Sequence, residues 1–151
     1  MDKETITRLR KLNQHYAFSS IQMHEAVARK AGLSGTDHKY LGFIMEKEQM
    51  TAGELSTLSG LTSGAVTGLI DRFEKKNLVK RQFAADDRRK VFIVPNSENI
   101  MALLSPLYSE FRRKSEELTA SFSNDEIEII ERYFSKAIEI AIETTKELNN
   151  K

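Results

Sequence analysis

The chain has 151 residues, of which 40% are hydrophobic and 30% charged, and its formal net charge is +1. This length and hydrophobic content predict one compact domain with enough apolar side chains for a core. Cysteine is absent, which excludes disulfides, thiolate metal sites and thiol-based redox sensing. Met1 is followed at once by DKETITRLRK, and no apolar run reaches the roughly 20 residues of a membrane helix. We therefore expect no signal peptide, no membrane partner and a cytoplasmic protein.

The first part of the chain predicts two helices. One covers about residues 3–29, carries apolar side chains on one broad face, and ends before the glycines at positions 32 and 35. Ser34 or Thr36 can cap the second helix, because a side-chain oxygen at a helix start accepts from a free backbone N–H. The apolar residues between positions 40 and 44 then give this second helix a face to bury.

Residues 51–77 predict two short helices joined by a tight turn. Thr51 and Glu54 form a capping box at the start of the first helix, in which Leu55 and Leu58 are expected to face inward. Gly60 suits a sharp turn because glycine tolerates a positive φ. In the second helix the apolar residues recur at i, i+3, i+4 and i+7, namely Val66, Leu69, Ile70 and Phe73.

The opposite face of that second helix carries small and polar residues. These are Ser63, Gly64, Thr67, Gly68 and Arg72. A helix that enters the major groove needs such a face, because bulky side chains would hold it away from the base edges. Each glycine inside an exposed helix costs roughly 1 kcal/mol relative to alanine, so the pattern favours a DNA-reading face over plain solvent-exposed surface.

Two β-favouring runs follow, at about residues 78–83 and 91–94, and indicate two strands. The AADDRRK segment between them is too long for a two-residue turn, so it predicts a protruding loop with Arg88, Arg89 and Lys90 at or near its tip. Arginine there suits the negative potential of a narrow minor groove. From position 62 to position 90, eight positive and four negative residues give a net charge of +4, which favours a nucleic-acid surface.

The residues GELSTLSGLTSGAVTGLIDRFEKKNLVKR followed by DDRRKVFIV resemble the MarR family of bacterial transcriptional regulators. The resemblance implies a mainly α fold (α+β) in one domain: a winged helix-turn-helix core at about 36–95, with dimerisation helices at about 1–33 and 97–151. It also implies a homodimer that binds a pseudo-palindromic operator in double-stranded DNA, usually as a repressor. Release of such regulators often depends on a small aromatic ligand or on oxidation.

The resemblance also assigns roles by matched position. Ser63, Gly64, Thr67, Gly68 and Arg72 would lie on the recognition helix; Arg88 and Arg89 would be the wing arginines, with Lys90 beside them. Asp71 or Asp87 would orient one of the wing arginines, since a carboxylate can fix the direction of a guanidinium. A ligand pocket is expected from family-like position and amphipathic chemistry at His15, Tyr16, Met23, His24 and Phe43. The alternative for those five is that methionine and aromatic residues form core and the histidines lie at the surface.

The last part of the chain predicts two more helices. One covers about residues 97–120 and is disturbed at Pro106, where a backbone donor is lost. The other begins at a capping box of Ser123 and Glu126 and runs to about residue 148. Its apolar residues spread over more of the helix than one packed face requires: Ile127, Ile129, Ile130, Tyr133, Phe134, Ala137, Ile138, Ile140, Ala141 and Ile142. We expect a second subunit to cover them, and the alternative is a monomer with scattered exposed isoleucines.

The sequence lacks the motifs of nucleophilic, zinc-protease and P-loop chemistry. We therefore expect no enzymatic activity, no cofactor and no metal site, and we expect double-stranded DNA, a second copy of the chain and an organic effector as partners. The rival hypothesis is a non-catalytic winged-helix module that binds another protein and does not bind DNA. Such a module would have no reason to keep a basic recognition helix and wing.

Overall fold

The computed structural model describes residues 2–84 and 90–149. Its helices are α1 (Lys3–Lys30), α2 (Gly35–Lys47), α3 (Ala52–Ser59), α4 (Ser63–Lys75), α5 (Ser97–Ala120) and α6 (Asn124–Asn149). Its strands are β1 (Met50–Thr51), β2 (Val79–Phe83) and β3 (Val91–Pro95). The chain divides into two compact units, Met1–Tyr108 and Ser109–Lys151. Within the described ranges, no helix combines the length and the apolar character needed to cross a membrane.

The core of the first unit is built from the apolar faces of α2, α3 and α4 and from the sheet. The predicted stripe of α4 is its centre, because Val66, Leu69, Ile70 and Phe73 are all buried. The remaining core residues are Ala28, Leu33, Tyr40, Leu41, Ile44, Met50, Leu55, Leu78, Val79, Ile93 and Ile100. All of them are apolar or aromatic, so burial of apolar surface is the main stabilising contribution here.

Polar side chains fix the helix starts at the residues that the sequence predicts. Ser34, one of two candidates, caps α2 and accepts from the Asp37 backbone N–H at 2.9 Å. The capping box of Thr51 and Glu54 is confirmed at α3: the Thr51 backbone N–H donates to Glu54 at 2.6 Å. This hydrogen bond also lowers the pKa of the Glu54 carboxyl, because the backbone N–H stabilises its charged form.

The sheet is antiparallel with the order β1-β3-β2. The two predicted strands are confirmed, with Val79 paired to Pro95 and Phe83 to Val91. The sequence did not predict β1, which pairs Met50 with Ile93 on the other edge of β3. A strand of two residues has no periodicity to detect, but the buried Met50 side chain anchors it in the core.

The second unit contains the end of α5 and all of α6. Ser123 and Glu126 form the predicted capping box, with the Ser123 backbone N–H donating to Glu126 at 2.8 Å. Helix α5 is assigned as one helix on both sides of Pro106, where the sequence predicted a disturbance. The lost donor at Pro106 therefore does not end the helix, and Leu103 and Leu104 still pack against the core of the first unit.

Candidate nucleic-acid interface

The α3–turn–α4 segment has the geometry of a helix-turn-helix. Gly60 has φ 71°, the left-handed region that glycine occupies without strain. The Ser56 hydroxyl donates to the Leu61 carbonyl at 2.6 Å and so ties the turn back to α3. Thr62 caps α4 by accepting from the Ala65 backbone N–H at 3.3 Å. The prediction that Leu58 faces inward is wrong: Leu55 is buried, but Leu58 is 48% exposed, because the buried face of this short helix is too narrow to include a residue three positions from Leu55.

The outer face of α4 lies open to solvent, as a groove-binding face requires. Ser63, Gly64 and Thr67 are exposed, and Gly68 is half-buried. The Thr67 hydroxyl donates to the Ser63 carbonyl at 3.0 Å, which leaves its oxygen able to accept a further hydrogen bond. Nothing within the described residues lies within 4 Å of a Cβ added at Gly64, and only Arg72 Nη1, at 3.8 Å, approaches one at Gly68.

Arg72 projects from the last turn of α4 and is held by Asp37 of α2. Its Nη2 donates to Asp37 Oδ1 at 2.8 Å, and its Nε donates to Asp37 Oδ2 at 3.4 Å. A third hydrogen bond runs from Nη1 to the Gly68 carbonyl at 3.1 Å. The hydrogen bond to Asp37 raises the pKa of the Arg72 guanidinium, because it stabilises the charged form.

Arg81 joins the first wing strand, β2, to α4. It lies on β2, and its Nη2 donates to Asp71 Oδ1 at 2.7 Å while its Nη1 forms an ion pair with Glu74. The Arg81 backbone N–H also donates to Glu74 Oε1 at 3.0 Å. The hydrogen bond to Asp71 is the main cause of the raised pKa of Arg81. The predicted role of Asp71 toward a wing-tip arginine stays a prediction; within the described residues its partner is Arg81.

The end of α4 sets the direction in which the chain enters the wing. Asn77 has φ 55°, as expected of a residue that ends a helix in the left-handed conformation. The Leu78 backbone N–H donates to the Phe73 carbonyl at 2.9 Å, and the Asn77 backbone N–H donates to the Glu74 backbone carbonyl at 2.8 Å. This pair of bonds is a Schellman motif, and it places Leu78 and Val79 in the core at the start of β2.

The wing tip lies largely outside the described residues. Arg88, Arg89 and Asp87 belong to that segment, so their predicted roles stay predictions. Lys90 is described: it is exposed, and its Nζ lies 5.0 Å from the centre of the Phe92 ring. A cation over a ring face is attracted to it, which places one positive charge at the base of β3.

Two histidines and a tyrosine form a cluster in the first unit. The Tyr108 hydroxyl of α5 lies 2.5 Å from His24 Nδ1 and 3.1 Å from His38 Nε2. The two imidazole rings stack with their centres 5.7 Å apart. Burial, and to a smaller extent the charge of His24, lower the pKa of His38, and burial raises the pKa of Tyr108.

An open groove of about 560 Å³ borders this cluster between α1 and α2. Its lining residues are Ile21, His24, Glu25, Gly35, Thr36, His38, Lys39 and Gly42. Of the five residues predicted for a ligand pocket, His24 lines this groove. Among the others, His15 lies along a separate surface groove on α1, Tyr16 and Met23 do not line the groove, and Phe43 packs beside Tyr40.

The sequence matches known proteins over the same segments that form this geometry. A family model described as the MarR family matches residues 31–90, from before α2 to the wing. The HTH-type transcriptional regulator YcgE of Bacillus subtilis (strain 168) is 34% identical over 151 residues, covering 98% of this chain and 93% of that protein. The chain belongs to the MarR family. It is therefore a transcriptional regulator and not an enzyme, as the sequence predicts.

Solved MarR structures have the same fold. A MarR family protein from Bacillus stearothermophilus superposes with a TM-score of 0.72 at 25% identity, over 94% of this chain and 99% of that one. A mutant MarR from E. coli complexed with operator DNA gives a TM-score of 0.55 at 21% identity, over 91% of this chain and 99% of that one. The predicted fold class, a winged helix-turn-helix between N- and C-terminal helices, is confirmed.

Sequence reasoning missed three side chains of this region: Asp37, Arg81 and Tyr108. Each acts through a partner that is remote in sequence, such as Asp37 and Arg72, 35 positions apart. One weak signal was present for Asp37, which is an acidic residue in the first turn of a helix, where the dipole favours a carboxylate. That signal locates Asp37 on α2 but does not identify Arg72 as its partner.

Proposed function

We propose that this MarR-family regulator binds a pseudo-palindromic operator in double-stranded DNA as a homodimer and represses transcription there. The main support is the outer face of α4, which is small, polar and open, and which a basic wing segment follows in the sequence. Such a face permits close approach to base edges in the major groove. The positive residues between positions 62 and 90 supply attraction to phosphate.

The two glycines of α4 support a close approach because the fold does not need them. Gly64 and Gly68 have ordinary helical backbone, and a Cβ at either position meets open space or ordinary contact. An alanine would therefore fit, and at an interior helix position it stabilises by about 0.5–1 kcal/mol. The two glycines therefore cost stability without a benefit to the fold itself. This favours a benefit outside the fold, namely that the glycines leave room for a partner to lie against the helix.

The operator-bound E. coli MarR supports DNA as that partner. It has the same fold as this chain, and a helix-turn-helix presents its second helix to the major groove. The rival function, a winged-helix module that binds another protein, gives no reason for Lys75, Lys76, Lys80 and Lys90 to follow this face so closely in the sequence. The charge and the open face together favour DNA.

Exposed apolar residues on α6 support a homodimer. Ile138 is 56% exposed and Ile142 50% exposed, and Ile129, Phe134 and Ile140 are exposed as well. Phe134, Ile138 and Ile142 recur at steps of four residues on one side of α6, and an exposed apolar stripe of this kind marks an interface with another chain. A two-fold dimer would carry two recognition helices, which must lie about 34–36 Å apart to enter successive major grooves on one side of the duplex.

Release by a small ligand is the part of the proposal that concerns regulation. The groove beside His24 and His38 supports it, because the groove borders α2, and α2 also carries Asp37, which holds Arg72 of α4. A ligand that displaces α2 by a small rigid-body shift would disturb the outer face of α4. We assign repression because a dimer that binds its operator without ligand blocks access to that DNA until the ligand arrives.

Duplex binding measured against salt tests the proposal. We expect R88A/R89A to weaken binding to a selected duplex while the fold is kept, and to lower the salt slope by about one unit for each phosphate that the protein no longer neutralises. The matched control is R132A/K146A, which removes the same charge from α6. Equal slopes for both variants would contradict the role of the wing, and no duplex binding by the unmodified protein at low salt would favour the interaction module.

A further inference from the structure

The Arg72 side chain is held in one orientation by groups from two helices. Asp37 of α2 accepts from both Nε and Nη2, and the Gly68 carbonyl of α4 accepts from Nη1. The side chain of Asp37 is only 14% exposed, while that of Arg72 is 55% exposed. The carboxylate therefore lies at the base of the pair, and the guanidinium lies above it at the protein surface.

The backbone of Asp37 is fixed independently of Arg72. It lies in the first turn of α2, where its backbone N–H donates to Ser34 Oγ at 2.9 Å. The positive end of the helix dipole favours a carboxylate at this position. The backbone that carries the carboxylate is thus fixed by the start of α2.

The three hydrogen bonds leave part of the guanidinium available. An arginine has five N–H donors in a planar fork, and the hydrogen bonds to Asp37 and Gly68 use three of them. The second N–H groups of Nη1 and Nη2 have no partner among the described residues. Two such parallel donors match a pair of acceptors in one plane, either O6 and N7 of a guanine or two oxygens of a phosphate.

We propose that Asp37 is a positioning residue that directs the Arg72 guanidinium toward the bound duplex. The inference rests on the proposed DNA-binding function and adds to it a residue outside the helix-turn-helix and the wing. An arginine already held in its bound orientation loses less side-chain freedom when it binds. Loss of this positioning should weaken duplex binding when Asp37 is replaced. Loss of the negative charge of Asp37 should strengthen duplex binding, so the two effects of the substitution have opposite signs.

The test measures the affinity of each variant for two duplexes of the same length. One is a duplex that the unmodified protein selects from a random pool, and the other is unrelated in sequence. We expect D37A and D37N each to weaken binding to the selected duplex by about tenfold, in the range that one bidentate pair of hydrogen bonds to a base contributes. Binding to the unrelated duplex should stay equal or become tighter, because a negative charge is removed. A change that only damaged the fold would weaken both, so the ratio of the two affinities separates positioning from a structural role.

Three further proteins complete the experiment. D37A/R72A should bind the selected duplex as R72A alone does, because Asp37 acts through Arg72. R72K should resemble D37A, since lysine keeps the charge but lacks the planar fork. E46Q, which removes a carboxylate from the other end of α2, is the matched control and should keep the affinity ratio of the unmodified protein.

Two results would overturn the inference while leaving the proposed function intact. One is tighter binding of D37A to the selected duplex, which would mean that Asp37 opposes DNA binding by Arg72. The other is an additive loss in D37A/R72A, which would mean that the two residues act independently. A protein that selects no duplex at all would overturn the proposed function itself and the inference with it.

Discussion

Arg81 of β2 donates a 2.7 Å hydrogen bond to Asp71 on the exposed side of α4. A second ion pair, with Glu74, places the same guanidinium against two carboxylates one turn apart on the recognition helix. Exposed ion pairs of this kind contribute only about 0–1 kcal/mol to folding. Their main consequence is geometric, because they fix β2 relative to α4, the helix that we propose faces the duplex.

The Arg81 bridge predicts a local effect of R81A. We expect faster amide hydrogen exchange along β2 and weaker duplex binding, with only a small change in the free energy of unfolding. The matched control is K80A, which removes the same charge from the neighbouring position on the same strand. Equal exchange along β2 in both variants would show that the bridge does not hold the wing.

The open surroundings of Gly68 predict that G68A separates stability from binding. We expect G68A to raise the free energy of unfolding by about 0.5–1 kcal/mol, because the added Cβ lies at ordinary contact distance from Arg72. Duplex binding should weaken, since the methyl group occupies space that the DNA needs.

G42A in α2 is the matched control for G68A, because a Cβ there meets nothing within 4 Å. It should raise stability by a similar amount and leave duplex binding unchanged. Urea unfolding measures the free energy of unfolding, and fluorescence anisotropy measures duplex binding. If G68A bound the duplex as tightly as G42A, close approach at Gly68 would be the wrong explanation for the glycine.

The histidine cluster predicts that stability depends on pH. Burial lowers the pKa of His38 below its usual 6.5, so the unfolded chain takes up a proton at a higher pH than the folded chain does. The contribution of His38 to the free energy of unfolding is therefore full above about pH 6.5 and is lost as the pH drops toward the lowered value. His24 and Tyr108 face His38 directly, and Lys39 and Glu25 border the same groove.

The substitution H38Q should flatten this pH dependence. Urea unfolding at about pH 7.5 and about pH 5.5 spans the range in which an imidazole of ordinary or lowered pKa titrates. H15Q, which changes a histidine outside the cluster, is the control. An equal loss of stability on acidification in H38Q and in the unmodified protein would rule out His38 as the cause.

The exposed isoleucines of α6 predict the effect of charges at the proposed dimer interface. I138E/I142E would bury two unpaired carboxylates in an apolar contact, which is strongly unfavourable. We expect light scattering to report a dimer for the unmodified protein at micromolar concentration and a monomer for the variant. K136E changes the net charge by the same amount on the opposite side of α6 and should stay dimeric. A monomeric unmodified protein would contradict the dimer.

Local features of this fold could be predicted from the sequence. The capping residues at positions 34, 51 and 123, the left-handed Gly60, and the buried stripe of α4 all depend on residues within one or two turns of each other. Side-chain chemistry and the helical period determine such features. The error at Leu58 arose because a three-residue step alone does not say how wide the buried face of a short helix is.

Contacts between elements could not be predicted in the same way. Asp37 with Arg72, Arg81 with Asp71, and Tyr108 with both histidines each join side chains on different elements. The period of a helix indicates which residues share a face, but not which other element that face contacts. The ligand pocket was predicted largely from residues of α1, whereas the groove depends on how α1 and α2 pack, so only His24 lies in both.

Selection of bound fragments from a random duplex library tests whether this chain reads DNA as a two-fold dimer. We expect enrichment of a sequence with two inverted half-sites whose centres are about one helical turn, or 10–10.5 base pairs, apart. No enrichment at low salt would contradict DNA reading. Enrichment of a single half-site without a symmetric partner would contradict the dimer.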